Sequence, residues 1–186
     1  YLICNNGAIV VTGSFDLTGT KLPELPRFGM RMELHQPYEN LVYYGRGPFE
    51  NYIDRYSSSF IGRYEDKVEN QFYWYIRPQE TGNKTDVRWL SLLDSEGQGV
   101  RITGLQPIAF SALHFSPEDL DPGLTRKLQH TIDIVPQKNI FLHVDLKQRG
   151  LGGDNSWGMY PHNEYRLLDK KYTYSYMIEL VKKNSD

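Results

Sequence analysis

One cysteine, Cys4, is all that the 186 residues contain, so no intrachain disulfide can form and cysteine pairing carries no signal of compartment. Neither sign of charge is in excess: 21 Lys and Arg face 23 Asp and Glu, a formal net charge of −2. That balance lacks the basic footprint that holds nucleic acid or an anionic membrane, and neither is expected as a partner. No apolar run approaches the roughly 20 residues of a membrane-spanning helix. A methionine is missing from the first position, and Tyr1–Gly7 has neither a basic start nor a long apolar stretch. The chain is therefore expected to be a piece of something longer, with location (cytoplasmic or periplasmic) set by the missing part. Its length suits one domain over residues 1–186, large enough to bury roughly 70% of the unfolded surface without a disulfide or metal staple.

Helical spacing is also scarce. Alternation with period two dominates instead, and it fits half-buried strands. Phe28, Met30, Met32 and Leu34 alternate with Arg27, Gly29, Arg31 and Glu33. Ile140, Leu142, Val144 and Leu146 alternate with Phe141, His143, Asp145 and Lys147; Tyr172, Tyr174, Tyr176, Ile178 and Leu180 alternate with Thr173, Ser175, Met177 and Glu179. Shorter strands are expected at 9–15, 41–44, 71–76, 87–93, 100–103, 108–113 and 130–135. Turn signals at 45–48, 81–83, 95–99 and 150–155 separate most of them. About ten strands so spaced imply an all-β chain, with antiparallel sheets packed as a sandwich. Ser116-Pro-Glu-Asp119 reads as a capped helix start, and Pro122-Gly123 would end it within two turns. The tail 182–186 is polar and expected to fray. Aromatics reach 13%, with 14 Tyr and 3 Trp, which serves a β core and also suits stacking on sugar faces.

Two glycine-rich segments stand out. In Gly45-Arg-Gly-Pro-Phe-Glu-Asn-Tyr-Ile-Asp-Arg55 a tight strand exit leads to Glu50, Asn51, Asp54 and Arg55 crowded on a short loop. A structural ion pair is the plain reading there, and a surface facing a neighbouring domain or a substrate the functional one. In Gly150-Leu-Gly-Gly-Asp-Asn-Ser-Trp157 three glycines permit close backbone approach, and Asp154, Asn155 and Ser156 can bond their own loop amides. Such a frame would fix Trp157 at the end of a strand; the plain alternative is an ordinary core aromatic. A phosphate loop is excluded because Pro161 and a strand follow instead of a helix. His35, His114, His130, His143 and His162 never fall at close ligand spacing, and Glu118, Asp119 and Asp121 read as a solvated acidic turn, so no metal is expected here. His162 with Glu164 could serve as acid and base on a sugar ring oxygen. Without an epimerase signature around them, they read as strand-edge polar residues.

Taken in order, these segments resemble the C-terminal, small-chain domain of family-two β-galactosidases, of the type that cleaves lactose. Leu25-Pro-Arg-Phe-Gly29 is similar to that family's Leu-Pro-Arg-x-Gly strand start. Gly45–Arg55 matches Gly-x-Gly-Pro-x-Glu-Asn-Tyr-x-Asp-Arg, and Gly150–Trp157 matches Gly-x-Gly-Gly-Asp-x-Ser-Trp. Pro78-Gln-Glu-Thr-Gly82 is similar to Pro-x-Glu-x-Gly, with Thr81 where Asn is expected.

The resemblance implies a large antiparallel β-sandwich of the galactose-mutarotase-like kind (a supersandwich), the last domain of a longer retaining glycoside hydrolase. It also implies that the sandwich opens upstream of Tyr1, so this piece lacks its first strands. The glutamate nucleophile and acid/base, with magnesium and sodium, belong in that family to a preceding barrel and its surroundings. No catalytic residue, metal or cofactor is carried onto this chain, and alone it is expected to be inactive. One residue is carried over: Trp157, as a wall of the sugar site, with Asp154 and Asn155 supporting its loop. The implied partners are a β-galactoside with a terminal non-reducing β-D-galactose and the parent's other domains, the parent being a homo-oligomer. Two rival readings are a free-standing carbohydrate-binding module and an aldose 1-epimerase-like protein.

Overall fold

The computed structural model describes residues 1–35, 37–121, 123 and 130–183. Among the described residues nine strands follow in order: β1 Leu2–Ile3, β2 Ile9–Asp16, β3 Arg27–Leu34, β4 Asn40–Gly47, β5 Phe60–Lys67, β6 Lys84–Leu93, β7 Gly99–Leu113, β8 Ile140–Gln148 and β9 Lys171–Val181. Every pairing between them is antiparallel. The all-β, sandwich-type fold expected from alternation is thus the fold observed.

The sheet runs β1-β2-β9-β7-β6-β4-β5, and β3–β8 joins it as a branch. The fork lies on β7, a 15-residue strand read from sequence as two. Its first half, Gly99–Gly104, pairs with β9, and its second half, Ala109–Leu113, pairs with β8. The two branches then lie face to face. Phe28 of β3 has ring centroids 6.2 Å from Phe15 of β2, and 5.5 and 5.4 Å from Tyr172 and Tyr174 of β9. The Tyr174 hydroxyl donates to the Val144 carbonyl of β8 at 2.9 Å, which satisfies a polar group that burial would otherwise penalise. Leu41, Leu90, Leu92, Ile102, Ile140 and Leu142 fill the core beneath, each worth about 1.5–3 kcal/mol against exposure.

Alternation holds along β3 and through Tyr176 of β9. It fails on β8, where much of the other face is buried too: Phe141 is buried and Asp145 meets Arg27. Two expected strands are turns. At 130–135 a 3-10 turn spans Thr131–Asp133, because the Asp133 carboxylate accepts from the His130 N–H at 2.7 Å. Thr131 and Ile134 are the buried pair there, a spacing of three and not two. At 71–76 a 3-10 turn spans Val68–Gln71, with Asp66 accepting from Asn70 at 2.7 Å and Gln71 at 2.8 Å. Phe72 then drops into a second apolar cluster with Leu113, Phe115, Leu120 and Ile134. Strand β5 was not foreseen. It is an edge strand with charges at Arg63, Glu65, Asp66 and Lys67, a composition that guards an edge and hides its period.

The short helix forms as its cap implied. Helix α1, Pro117–Leu120, has Ser116 as N-cap and Asp119 returning the bond to the Ser116 N–H at 2.8 Å. Its acidic residues are spent locally: Glu118 pairs with Arg31 at 2.9 Å and Asp119 also accepts from Gln137. Pro122 and 184–186 lie outside the described residues.

Candidate functional site

The segments singled out in the sequence come together, and a buried carboxylate does the joining. Glu50, in the loop after β4, has a side chain only 5% exposed. It accepts from the Gly82 N–H at 2.7 Å, Thr81 Oγ1 at 3.2 Å, Arg55 Nη2 at 2.6 Å and the Tyr75 hydroxyl. Beside it Asn51 is wholly buried, donating to the Arg46 and Phe49 carbonyls and accepting from the Thr85 N–H at 2.9 Å. A loop this deep has to meet its polar groups from within. The turn that Glu50 holds also carries Glu80, which pairs with Arg27 at 3.3 Å. Arg27 donates twice more to Asp145 of β8, at 2.5 and 3.0 Å. Asp54 completes the set, accepting from the Gly152 N–H at 2.7 Å.

Burial pushes the Glu80 and Asp145 carboxyls up, while Arg27 pulls both down. Burial, then the Arg27 and Arg31 charges, lowers His143 to about 4, so its imidazole is neutral at pH 7. Lys84 is buried alongside, its ammonium held by Gln71 Oε1 at 3.0 Å and the Gly82 carbonyl at 3.3 Å. Burial lowers it to about 8, with Glu50 and Asp66 opposing.

Trp157 sits on a loop between β8 and β9 that is tied at its base. The Gly150 N–H donates to the Tyr165 carbonyl at 2.8 Å. Glu24 accepts from Arg149 at 3.0 Å and Arg166 at 2.7 Å, and both guanidinium groups lie over the Tyr160 ring, 5.3 and 4.7 Å from its centroid. Although burial raises the Glu24 carboxyl, the two arginines outweigh it and hold the group below its ordinary value. Glycine is required at two points by contact. A Cβ on Gly150 would fall 2.7 Å from Asp54 Cγ, and one on Gly153 would fall 2.8 Å from the Met159 carbonyl carbon.

Above this base the loop is open. Asn155 Oδ1 accepts from the Trp157 N–H at 2.8 Å, and Trp157 as a whole is 92% exposed. Asp154 Oδ1 lies 2.8 Å from His162 Nε2, and Glu164 Oε1 lies 4.0 Å from His162 Nδ1. His162 and Glu164 belong to this loop and to a 3-10 turn at Asn163–Tyr165, not to a strand edge. Both carboxylates turn to the one imidazole. A cleft of ≈ 550 Å³, lined by Asp154, Gly158, Met159, Tyr160, His162 and Arg166, opens beside the tryptophan. Among the described residues no three His, Cys, Asp or Glu side chains are grouped as a metal site.

A family model described as β-galactosidase small chain matches residues 1–178. The chain belongs to that family. It is 34% identical to a β-galactosidase of Priestia megaterium over 180 residues, 96% of this chain and 17% of that protein. Similarity to a β-galactosidase of Streptococcus thermophilus is 34% identity over 181 residues, 96% of this chain and 17% of that one. With β-galactosidase BgaC of Bifidobacterium adolescentis it shares 37% identity over 149 residues, 78% of this chain and 14% of the relative. This small chain thus spans about a sixth of the length of the curated relatives it matches.

Within the small chain, sequence reading placed Trp157, Asp154 and Asn155 on one loop and Glu50, Asp54 and Arg55 on another, and the structure links the two loops through Asp54 and Gly152. It missed Glu24 and Tyr160, and it weighed His162 only with Glu164, not with Asp154. Glu24 is tied to the loop by arginines far along the chain, and Tyr160 lies under the same two guanidinium groups. His162 carried one usable signal, its place a short hairpin's length after Asp154 and just beyond Pro161.

Glu50→Ala is expected to cost at least about 2 kcal/mol, because the buried Gly82 N–H and Thr81 hydroxyl lose their acceptor. Arg55→Ala, which removes a half-exposed partner, should cost about 1 kcal/mol or less. Denaturant unfolding of the two variants checks the ranking; equal losses would show that Glu50 is not the hub.

A second expectation concerns acid. His143 titrates near 4 in the folded chain against 6.5 for a free imidazole, so between those values the unfolded state binds more protons. Stability is therefore complete above the free value and lost as pH falls toward the folded one. Melting temperature should drop over that window in wild type and drop less in His143→Gln. A wild-type profile flat through the window would contradict the assignment.

Proposed function

We propose that this chain is the C-terminal, non-catalytic part of a retaining β-galactosidase that releases terminal non-reducing β-D-galactose, and that it presents Trp157 as a wall of the sugar site. In this reading residues 1–186 act as one domain whose opening strands come from the preceding part of the parent, and the parent is a homo-oligomer. The catalytic glutamates, with magnesium and sodium, lie on other domains. The observation that carries the reading is the exposure of Trp157. A large aromatic ordinarily gains by burial, yet this one is 92% exposed on a loop braced at its base by Asp54 and Glu24. An indole so held offers a flat apolar face, which meets the C–H face of a pyranose. Asn155, through the Trp157 N–H, and Asp154, through His162, hold the loop that carries it.

The isolated chain should not hydrolyse a chromogenic β-galactoside above a buffer blank. Hydrolysis abolished by replacing one of its own carboxylates would place catalysis here and end the proposal.

In the full-length parent, Trp157→Ala should raise KM roughly 2- to 12-fold, the equivalent of about 0.5–1.5 kcal/mol of aromatic contact, with kcat held if ground and transition states use the face alike. The melting temperature should hardly move, since surface substitutions usually stay within about 0.5 kcal/mol. Steady-state kinetics and a thermal melt on the one variant test both halves. Unaltered KM, kcat and inhibitor affinity in a folded variant would remove Trp157 from the site.

A further inference from the structure

We propose that His162 is a positioning residue for Trp157, closing the 154–162 loop onto Asp154 and holding the indole most firmly when the imidazole carries its second proton. The inference rests on the reading of Trp157 as a sugar-facing residue and adds to it a control that the sequence motif itself lacks. His162 lies outside the Gly150–Trp157 segment, yet it is the side chain that brings the far arm of the loop back to it. The near arm is fixed by backbone: Gly152 to Asp54, and Trp157 to Asn155. The far arm is fixed at its foot by Tyr160 beneath Arg149 and Arg166. Between those two anchors, the bond from Asp154 Oδ1 to His162 Nε2 at 2.8 Å spans the loop directly across the stretch that carries Trp157.

The charge state matters because of what surrounds the ring. Asp154 faces Nε2, and Glu164 stands 4.0 Å from Nδ1. Arg166 lines the same cleft, but its guanidinium is taken by Glu24 and by Asn163 Oδ1 at 3.1 Å. A neutral imidazole can keep one donor on Asp154 only; the cation adds a second N–H toward Glu164 and a charge between two carboxylates. The hydrogen bond to Asp154, then the Asp154 and Glu164 charges, holds His162 above its ordinary value of 6.5. A group raised by its folded partners gives its support below that value and loses it as pH rises through the raised one. Closure is therefore firm below that ordinary value and slackens as pH rises through the raised one. Because the ring and both carboxylates are largely exposed, the effect is small in free energy, and it acts by shifting how often the loop holds Trp157 in place.

The test uses the full-length enzyme, with KM, kcat and melting temperature measured from about pH 6 to pH 9, the span over which a raised histidine titrates. The ratio of each variant's KM to wild type cancels the titration of catalytic groups common to all. His162→Ala should raise KM roughly 2- to 5-fold at low pH, with the ratio falling toward unity as the wild-type loop slackens. His162→Lys, which keeps a cation, should hold KM low through the neutral range. Neither should move kcat or the melting temperature. In a Trp157→Ala background, His162→Ala should add nothing, because it acts through the indole. If Trp157→Ala raises KM but the His162→Ala ratio stays at unity or is flat with pH, this inference falls and the sugar-site reading stands. If Trp157→Ala itself leaves KM unchanged, the sugar-site reading falls and takes the inference with it.

Discussion

A carboxylate buried away from water costs several kcal/mol unless donors replace its hydration, and Glu50 is such a group. Four donors converge on it: Arg55 and Tyr75 by side chain, Thr81 by hydroxyl and Gly82 by backbone. Together they replace the water that Glu50 gave up, so the loop after β4 and the turn before β6 are held in one arrangement. That constraint propagates. The turn presents Glu80 to Arg27, Arg27 reaches Asp145 of β8, and β8 leads straight into the loop that bears Trp157. From the other side Asp54, on the Glu50 loop, takes the Gly152 amide. The tryptophan loop is thereby referenced to the sheet from two directions.

The sheet supplies the rigidity on which this web depends. Strand β7 pairs with β6 along one edge and divides its other edge between β9 and β8, so three strands share one backbone. The branches fold against each other over Phe28, Tyr172 and Tyr174, and the strand ends that carry the loops cannot drift apart without opening that aromatic layer. Scaffold and loop have different duties: the loop's polar contacts above its base are exposed and exchangeable, while those at its base are half-buried and charged. The aromatic wall proposed for Trp157 needs that division if it is to be fixed in place and still open to a ligand.

Where one face of a strand met the core and the other met solvent, the period was legible, as in β3 and the first half of β9. It was misleading where burial followed a turn, as at Thr131 and Ile134, and silent at β5, whose charged edge has no buried face to repeat. The join of two short apolar runs into β7 was hidden as well, because Gly104 to Pro107 reads as a break when seen without the partners that pair on either side of it. At the site, motif residues such as Glu50 and Trp157 were legible because their types and spacing are unusual. Glu24 and Tyr160 were not, since a lone glutamate acquires meaning only when two arginines far along the chain reach it, and the tyrosine only when the same pair is held over its ring.

The sequence by itself determined that the chain is all-β, that its glycine-rich segments are close-approach turns, and that Trp157 follows one of them. Local chemistry suffices for this, because strand period, turn residues and Asx-type bonds act over a few positions. Tertiary structure alone decided that Glu50 and not Arg55 is the centre of its loop, that Asp54 holds the tryptophan segment, and that His162 spans it. Those roles depend on which side chains lose water together, and desolvation is set by packing among residues far apart in the chain.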